Sequence, residues 1–314
     1  MEEVILSDII FKEKKIKKFI PELLKDHTTG KNIIWATDTY AQFGEKYHKE
    51  KQMFPDFNIK LITDGIMLPR IMKTKDQQLL RTKGKAEVFT PSWVCNKMNN
   101  YCDEQWFKRK DVFNVENKNY TWIPTTEPID FSKSAKDWKK YIDSRRIEIT
   151  CGEAPYIVSR YDTTTGEYIN IEYRIGILDR KLRVVNENTE NEEEWLKWTY
   201  RAYESVYGYE YQGDNLFFAR VNLVQTFIEY YDNIFKKNPT DQMIKKITKI
   251  VSWNLWQMDG LKDIVPFGIP EEYEQIDFNN LNKKTKKENK HIYCKIKDWR
   301  SRKIIEYRSM KGEK

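Results

Sequence analysis

Histidine and cysteine are scarce in this chain of 314 residues, with three of the first and four of the second. No two cysteines form a C-x-x-C pair, and so few histidines argue against a zinc site. Cys95, Cys102, Cys151 and Cys294 read instead as reduced thiols of a cytoplasmic protein. No apolar run reaches the roughly 18 residues of a membrane-spanning helix. The opening MEEVILSDIIFKEKKIKK starts acidic and lacks a signal-peptide core and cleavage site. A cytoplasmic location with no membrane partner is therefore expected. Neither sign of charge dominates: 55 basic residues face 48 acidic ones, a net +7. Such a mild excess is compatible with a polyanion such as DNA without demanding one. The lysine clusters at 12–18 (KEKKIKK) and 283–290 (KKTKKENK) read either as solvated surface or as phosphate contacts.

What is present is material for a core. Hydrophobic residues make up 39% and aromatics 14%, enough for one large domain or two ordinary ones. Residues 1–80 read as a small mixed N-terminal region. It begins with a basic amphipathic helix through Ile9, Ile16 and Phe19 or Ile20, stopped near Pro21. Thr90-Pro91 marks a helix start: threonine can cap free N–H groups, and proline costs nothing at the first helical position. Residues 108–145 look like an irregular insertion with strand fragments.

From residue 146 the pattern alternates. RIEIT predicts a strand entering the turn Cys151-Gly152, with a helix after it to residue 162. RIGILDRKLRVV predicts a helix, and EEEWLKWTYRAYESVYGYEY a helix running into a strand over 206–211. The acidic start and basic end of that helix suit its dipole. The clearest helix is DNLFFARVNLVQTFIEYYDNIF, where Phe217, Val221, Val224, Ile228, Tyr231 and Phe235 form one apolar face and Asp214 or Asn215 can cap it. MIKKITKIV predicts a short helix, IVSWNLWQ a buried strand, and HIYCKIKDW a fourth strand. Alternation of this kind predicts a doubly wound, mostly parallel α/β sheet over residues 81–314, with ligands bound beyond the carboxyl ends of the strands.

Four strand ends carry notable residues: Cys151-Gly152-Glu153, Gly208-Tyr209-Glu210, Asp259-Gly260 and Asp298-Trp299. A nucleoside ligand needs close backbone approach at the first, an acid for its ribose hydroxyls at the second and an acceptor for the adenine amino group at the third. Each has a plain structural reading as well. Thr90-Pro91 is a helix start, Cys151 a small buried hydrophobe, Glu210 a turn acid and Asp259-Gly260 a turn. Asp298 is then a surface acid beside a packing tryptophan, Trp299.

Taken in order, these stretches resemble the N6-adenine DNA methyltransferases of restriction–modification systems, with the motif order of their M subunits. AEVFTPSWVCNKM resembles that family's F-T-P motif. CGEAPYIVSRYD resembles C-G-S-G-x-F, and NLWQMDGL the strand and turn with the adenine-binding acid. More narrowly, ITCGEAPYIVSRYDT, IGILDRKLRVV, YQGDNLFFARVNL and WNLWQMDGL look like a group of short restriction-system M-subunit chains, a likeness that covers about residues 80 to 310. The broad resemblance implies a methyltransferase-type sheet and S-adenosylmethionine as cofactor. Phe89, Thr90 and Pro91 would flank the methionine end, and Cys151 and Gly152 would form the turn beneath it. Glu210 would bind the ribose hydroxyls and Asp259 the adenine amino group. The family's catalytic (D/N/S)-P-P-(Y/F/W) is missing. Its nearest counterpart is Lys297-Asp298-Trp299, which makes Asp298 and Trp299 the candidate catalytic pair, the aromatic stacking on a flipped base.

Departures from the family pattern shape the expectation further. Glu153, Ala154 and Pro155 replace the flexible part of the cofactor turn. A carboxylate there either repels the ligand's carboxylate or holds its ammonium or sulfonium, and Pro155 removes an N–H donor. Only residues 300–314 follow Trp299, and no target-recognition domain is visible. A partner chain is expected to complete the sheet or supply target recognition. Two functional readings stand: a DNA adenine-N6 methyltransferase component of a restriction–modification or phage-defence system, or a catalytically inactive methyltransferase-like module that binds nucleic acid or a partner. Arg145, Arg146, Arg300, Arg302, Lys303 and Arg308 read as phosphate contacts or as exposed charge.

Overall fold

A computed structural model of the chain describes residues 16–85, 87–132, 137–268 and 291–311. Ile9, most of the first lysine cluster and the whole of the second lie outside the described residues. In chain order the main elements are α1 (Ile20–Leu23), α2 (Pro55–Thr63), α3 (Lys75–Lys85), α4 (Ser92–Phe107), β1 (Asn114–Glu116), β2 (Trp122–Pro124), α5 (Trp138–Asp143) and β3 (Arg146–Glu148). They continue as α6 (Ile177–Asn188), α7 (Glu192–Glu204), β4 (Val206–Glu210), α8 (Gly213–Phe235), α9 (Asp241–Asn254), β5 (Leu255–Gln257), β6 (Lys295–Asp298) and β7 (Lys303–Glu306).

The architecture is mixed α/β around a three-stranded parallel sheet in the order β3-β4-β5. Arg146 lies opposite Val206, and Gly208 opposite Leu255. Helices α6 and α7 connect β3 to β4, and α8 and α9 connect β4 to β5, as parallel pairing requires. The expected fourth strand forms but does not join. β6 pairs antiparallel with β7 as a separate ribbon, Lys295 opposite Glu306. The ribbon packs Ile296 into a small cluster with Tyr207, Tyr209 and Trp256 of the sheet. Helix α8 is buried on nearly every side, which explains why its apolar stripe is only the densest part of an apolar surface. Among the described residues no helix is long and apolar enough to cross a membrane.

Several local expectations change. No helix follows the Cys151-Gly152 turn. Thr150, Gly152 and Ala154 all have positive φ (48°, 54° and 66°), and the Glu148 carboxylate takes the amides of Tyr156 and Ile157. The expected strand 250–257 is mostly helix: Ile244, Ile247, Ile250 and Val251 keep α9 packed to Asn254, leaving Leu255–Gln257 as strand. Pro21 lies inside the first turn of α1 rather than ending a helix. Neither Asp214 nor Asn215 caps α8, whose N-cap is Gln212. Pro91 is itself the N-cap of α4, and Asp162, not Thr90, takes the Ser92 amide at 2.7 Å.

The N-terminal region is built into the same core. Ile16, Ile20, Leu23, Trp35 and Met53 belong to one buried cluster with Val206, Phe217 and Leu255. Wholly buried Arg220 of α8 donates to Leu23 O (2.6 Å), the last residue of α1, and to Lys25 O (3.0 Å) just beyond it. It also donates to Ser252 O (3.1 Å) and Leu255 O (2.6 Å) at the end of α9. Two helix ends thus lend their free carbonyls, and the negative ends of their dipoles, to one buried cation. At Gly213 the chains nearly touch: a Cβ there would lie 2.1 Å from Ile34 O.

Candidate functional site

An open cavity of about 1190 Å³ lies at the carboxyl ends of β3 and β4. Phe89, Thr90, Cys151, Gly152 and Glu210 all line it, although up to 121 positions separate them in sequence (210 − 89). Gly152 adopts φ +54°, and the ring of Phe89 lies against it, 3.5 Å from where a Cβ would stand. The backbone there is open to close approach in a way few other residues allow. Cys151 is a buried thiol whose pKa burial pushes well up; it packs beside Gly208 and offers no nucleophile.

Glu210 ends β4 and ties the floor together. Its carboxylate accepts from Gly152 N (2.9 Å) and Gln212 N (3.0 Å). Burial pushes its carboxyl up to about 7, because desolvation outweighs the two N–H groups that favour the charged form. Each oxygen retains a lone pair, so the group can still accept from a ligand hydroxyl.

Glu153, the carboxylate that replaces the flexible turn, takes no part in the cavity. It is 1% exposed and accepts from Arg70 N and Tyr161 Oη, both at 2.7 Å. It therefore neither repels nor holds a ligand. Its work is to tie the chain at Arg70 to the turn.

The remaining candidates are placed differently. Pro91, the N-cap of α4, is not part of the lining. Asp259 follows β5 but is not part of the lining; its carboxylate accepts from Leu261 N (3.0 Å) and lies 3.9 Å from Lys262. Asp298 and Trp299 are at the other end of the sheet. Trp299 Nε1 donates to Asn254 Oδ1 (2.6 Å), and Asn254 in turn donates to Val206 O, the first residue of β4. Asp298 pairs with Arg145, just before β3, at 2.7 Å. Four residue steps of β4 separate that end from Glu210, roughly 13 Å at the usual strand rise. The structure therefore gathers five of the nine candidates and leaves the Asp298–Trp299 pair apart from them.

The cavity also has walls that the sequence did not single out. Glu148 is buried beside it, and desolvation raises its pKa well above the ordinary value. Tyr156, Tyr211, Phe267 and Gln212 line it too, with Lys83 and Gly84 from α3. Glu148 left one usable signal, an acid closing a β-rich run just before Cys-Gly. The residues from α3 left none, because that helix carries no apolar pattern.

The donor set fits a nucleoside-type ligand such as S-adenosylmethionine: aromatic faces, an acid that can take hydroxyls, and a glycine turn. Set against known proteins, the chain matches no family model, no curated protein and no solved structure.

Proposed function

We propose that the cavity binds S-adenosylmethionine and that the chain is the cofactor-holding component of a DNA adenine-N6 methyltransferase of a restriction–modification or phage-defence system. The observation that carries this reading is the convergence of Phe89, Thr90, Cys151, Gly152 and Glu210 on one cavity at the strand ends. When bound, the cofactor supplies a transferable methyl group. Glu210 would accept from the ribose hydroxyls, Gly152 would let the backbone come close, and Phe89 and Thr90 would flank the methionine end. Asp259 would reach the adenine only across the rim. The part of this chain is orientation and electrostatics, which need no covalent nucleophile.

The amino group of the target adenine then has to be held from elsewhere, and a partner chain is the proposed source. Among the described residues β3 pairs on one edge only, and Ile147 and Ile149 beside the cavity are 43% and 63% exposed. An open strand edge is a place where another strand can add. A cytoplasmic, DNA-associated role belongs to the same proposal.

One observation favours the second reading, a catalytically inactive module that binds nucleic acid or a partner. Asp298 and Trp299 are held by Arg145 and Asn254 at the wrong end of the sheet to meet a methyl donor in the cavity. Calorimetric titration of the purified chain with S-adenosylmethionine tests the cofactor. Micromolar binding supports it, and the absence of binding at millimolar ligand overturns it. Methyl transfer to adenine-containing DNA, with and without candidate partner chains, then separates the two readings.

A further inference from the structure

Helix α3 borders the cavity through Lys83 and Gly84, yet nothing apolar holds it down. Among its described side chains only Arg81 is buried, while Leu79 and Leu80 are 54% and 71% exposed. Helices of globular proteins normally dock through an apolar stripe. This one docks through polar contacts: Thr82 at its edge accepts from Arg70 (3.2 Å) and lies 3.0 Å from Glu87 O, and the one buried group is the Arg81 guanidinium. Arg81 Nε donates to Glu87 (2.6 Å) and Nη1 to Asp214 (2.9 Å). Its Nη2 donates to Gln212 (2.9 Å), Asp214 (3.2 Å) and Asn215 (3.2 Å). Glu87, Gln212 and Asn215 are themselves cavity walls.

Asp214 has a second cation waiting. Lys73 Nζ lies 3.6 Å from Asp214 Oδ2, too far for a hydrogen bond, and is buried without any hydrogen-bond partner. A buried cation without a hydrogen bond is costly even 3.6 Å from a carboxylate, and a short movement to Asp214 would relieve it. Tyr40 Oη also donates to this carboxylate, at 2.9 Å.

We propose that α3 is a lid on the cavity, latched shut by Arg81 and released when Lys73 takes over Asp214. Closed, Arg81 holds Asp214 and Lys73 stays at ion-pair distance without a hydrogen bond. Open, Arg81 is hydrated, Lys73 bonds to Asp214, and no buried charge is orphaned. The two arrangements compete for one atom: Asp214 Oδ2 already accepts from Arg81 Nη1 and Tyr40 Oη, both at 2.9 Å, so Lys73 gains its hydrogen bond there when Arg81 withdraws. A ligand in the cavity meets Lys83 and Gly84 only in the closed form, so occupancy shifts the balance towards closure. The lid is an inference about the same pocket as the cofactor proposal, but its latch can be tested without any ligand.

Hydrogen–deuterium exchange of the ligand-free chain, followed by mass spectrometry, is the test. Arg81→Gln should speed exchange of the α3 amides by about tenfold or more and leave α8 unchanged beyond its first turn. Arg81→Lys, which keeps the charge but not the fork, should fall between. Lys73→Met should slow α3 exchange several-fold, because the open form loses the group that satisfies Asp214. That direction is decisive: if Lys73 merely braces the closed structure, Lys73→Met speeds α3 exchange or leaves it unchanged, and the lid is overturned. Should Arg81→Gln fail to fold, the Lys73→Met and Arg81→Lys results decide alone. Adding S-adenosylmethionine separates the two proposals. Calorimetric binding without protection of α3 sinks the lid and keeps the cofactor. The expected variant behaviour without any binding keeps the lid and sinks the cofactor.

Discussion

Exchanging Glu210 for glutamine probes the floor of the cavity through its protons. Burial raises this carboxyl from an ordinary 4.5 to about 7, worth roughly 3 kcal/mol at about 1.4 kcal/mol per pH unit. Between those two values the folded chain keeps a proton that the unfolded chain has released. Glu210 therefore makes stability fall as pH rises from 4.5 to 7, with no further loss above. Glutamine does not titrate. The stability of the natural chain minus that of Glu210→Gln should accordingly drop by about 3 kcal/mol between pH 4.5 and pH 8. Taking the difference removes the separate contributions of Glu153 and Asp179, whose carboxyls burial also raises, and keeps only the part of the Glu148 shift that the Glu210 charge itself causes. Urea melts across that range measure it, and a flat difference would refute the burial argument. The same proton should report on the ligand. Ribose hydroxyls donate to the ionised carboxylate, so S-adenosylmethionine should bind more weakly as pH falls below about 7 and should release a proton on binding near that pH. Glu210→Gln should weaken binding by about ten- to a hundredfold, the cost of a hydrogen bond to a charged acceptor, and abolish the pH dependence.

Gly213→Ala should cost about 2 kcal/mol or more, because its Cβ would lie 2.1 Å from Ile34 O and 2.8 Å from Met53 Sδ. A thermal melt equal to that of the natural chain would mean residue 34 does not lie there. Trp299→Phe should lower stability by about 1 kcal/mol through loss of the bond to Asn254, with S-adenosylmethionine affinity unchanged by calorimetry. Asp298→Ala removes an ion pair with Arg145 rather than a cavity group. Methyl transfer by an active assembly should survive it, and its disappearance would restore Asp298 to the catalytic centre.

The parts of the fold legible in the sequence are those with a period. Helix α8 announces itself because Phe217 through Tyr231 repeat at helical spacing and all become buried. Helix α7 carries its own start signal: three glutamates in the first turn and Asn191, whose side chain accepts from Glu194 N. Periodicity failed where a single contact overrode it. Residues 153–162 look helical until the Glu148 carboxylate takes the amides a helix would use. The HIYCKIKDW stretch alternates like a strand and is one over Lys295–Asp298, but alternation says nothing about its partner; that is set by the turn leading to Lys303. The candidate site was legible in the same partial way. Residues at the ends of β3 and β4 were foreseeable because parallel strands deliver their carboxyl ends to one place. The Arg81–Asp214–Lys73 group was not, since its members are isolated charges in unpatterned stretches. Only three-dimensional proximity reveals that they share a carboxylate.

The buried bonds of Arg220 also bear on the order in which the chain can be finished. Its partners Leu23 and Lys25 lie 197 and 195 positions earlier, and Thr28 receives the Lys295 amide across 267. A ribosome adding about 5–20 residues per second takes roughly 10–40 s to cover the distance from Leu23 to Arg220. For that interval Ile33 and Trp35, both wholly buried in the finished protein, have no sheet to rest on. Early fragments should therefore be sticky and chaperone-dependent, and a shortened version starting near residue 81 would expose the surface that those first residues were made to cover.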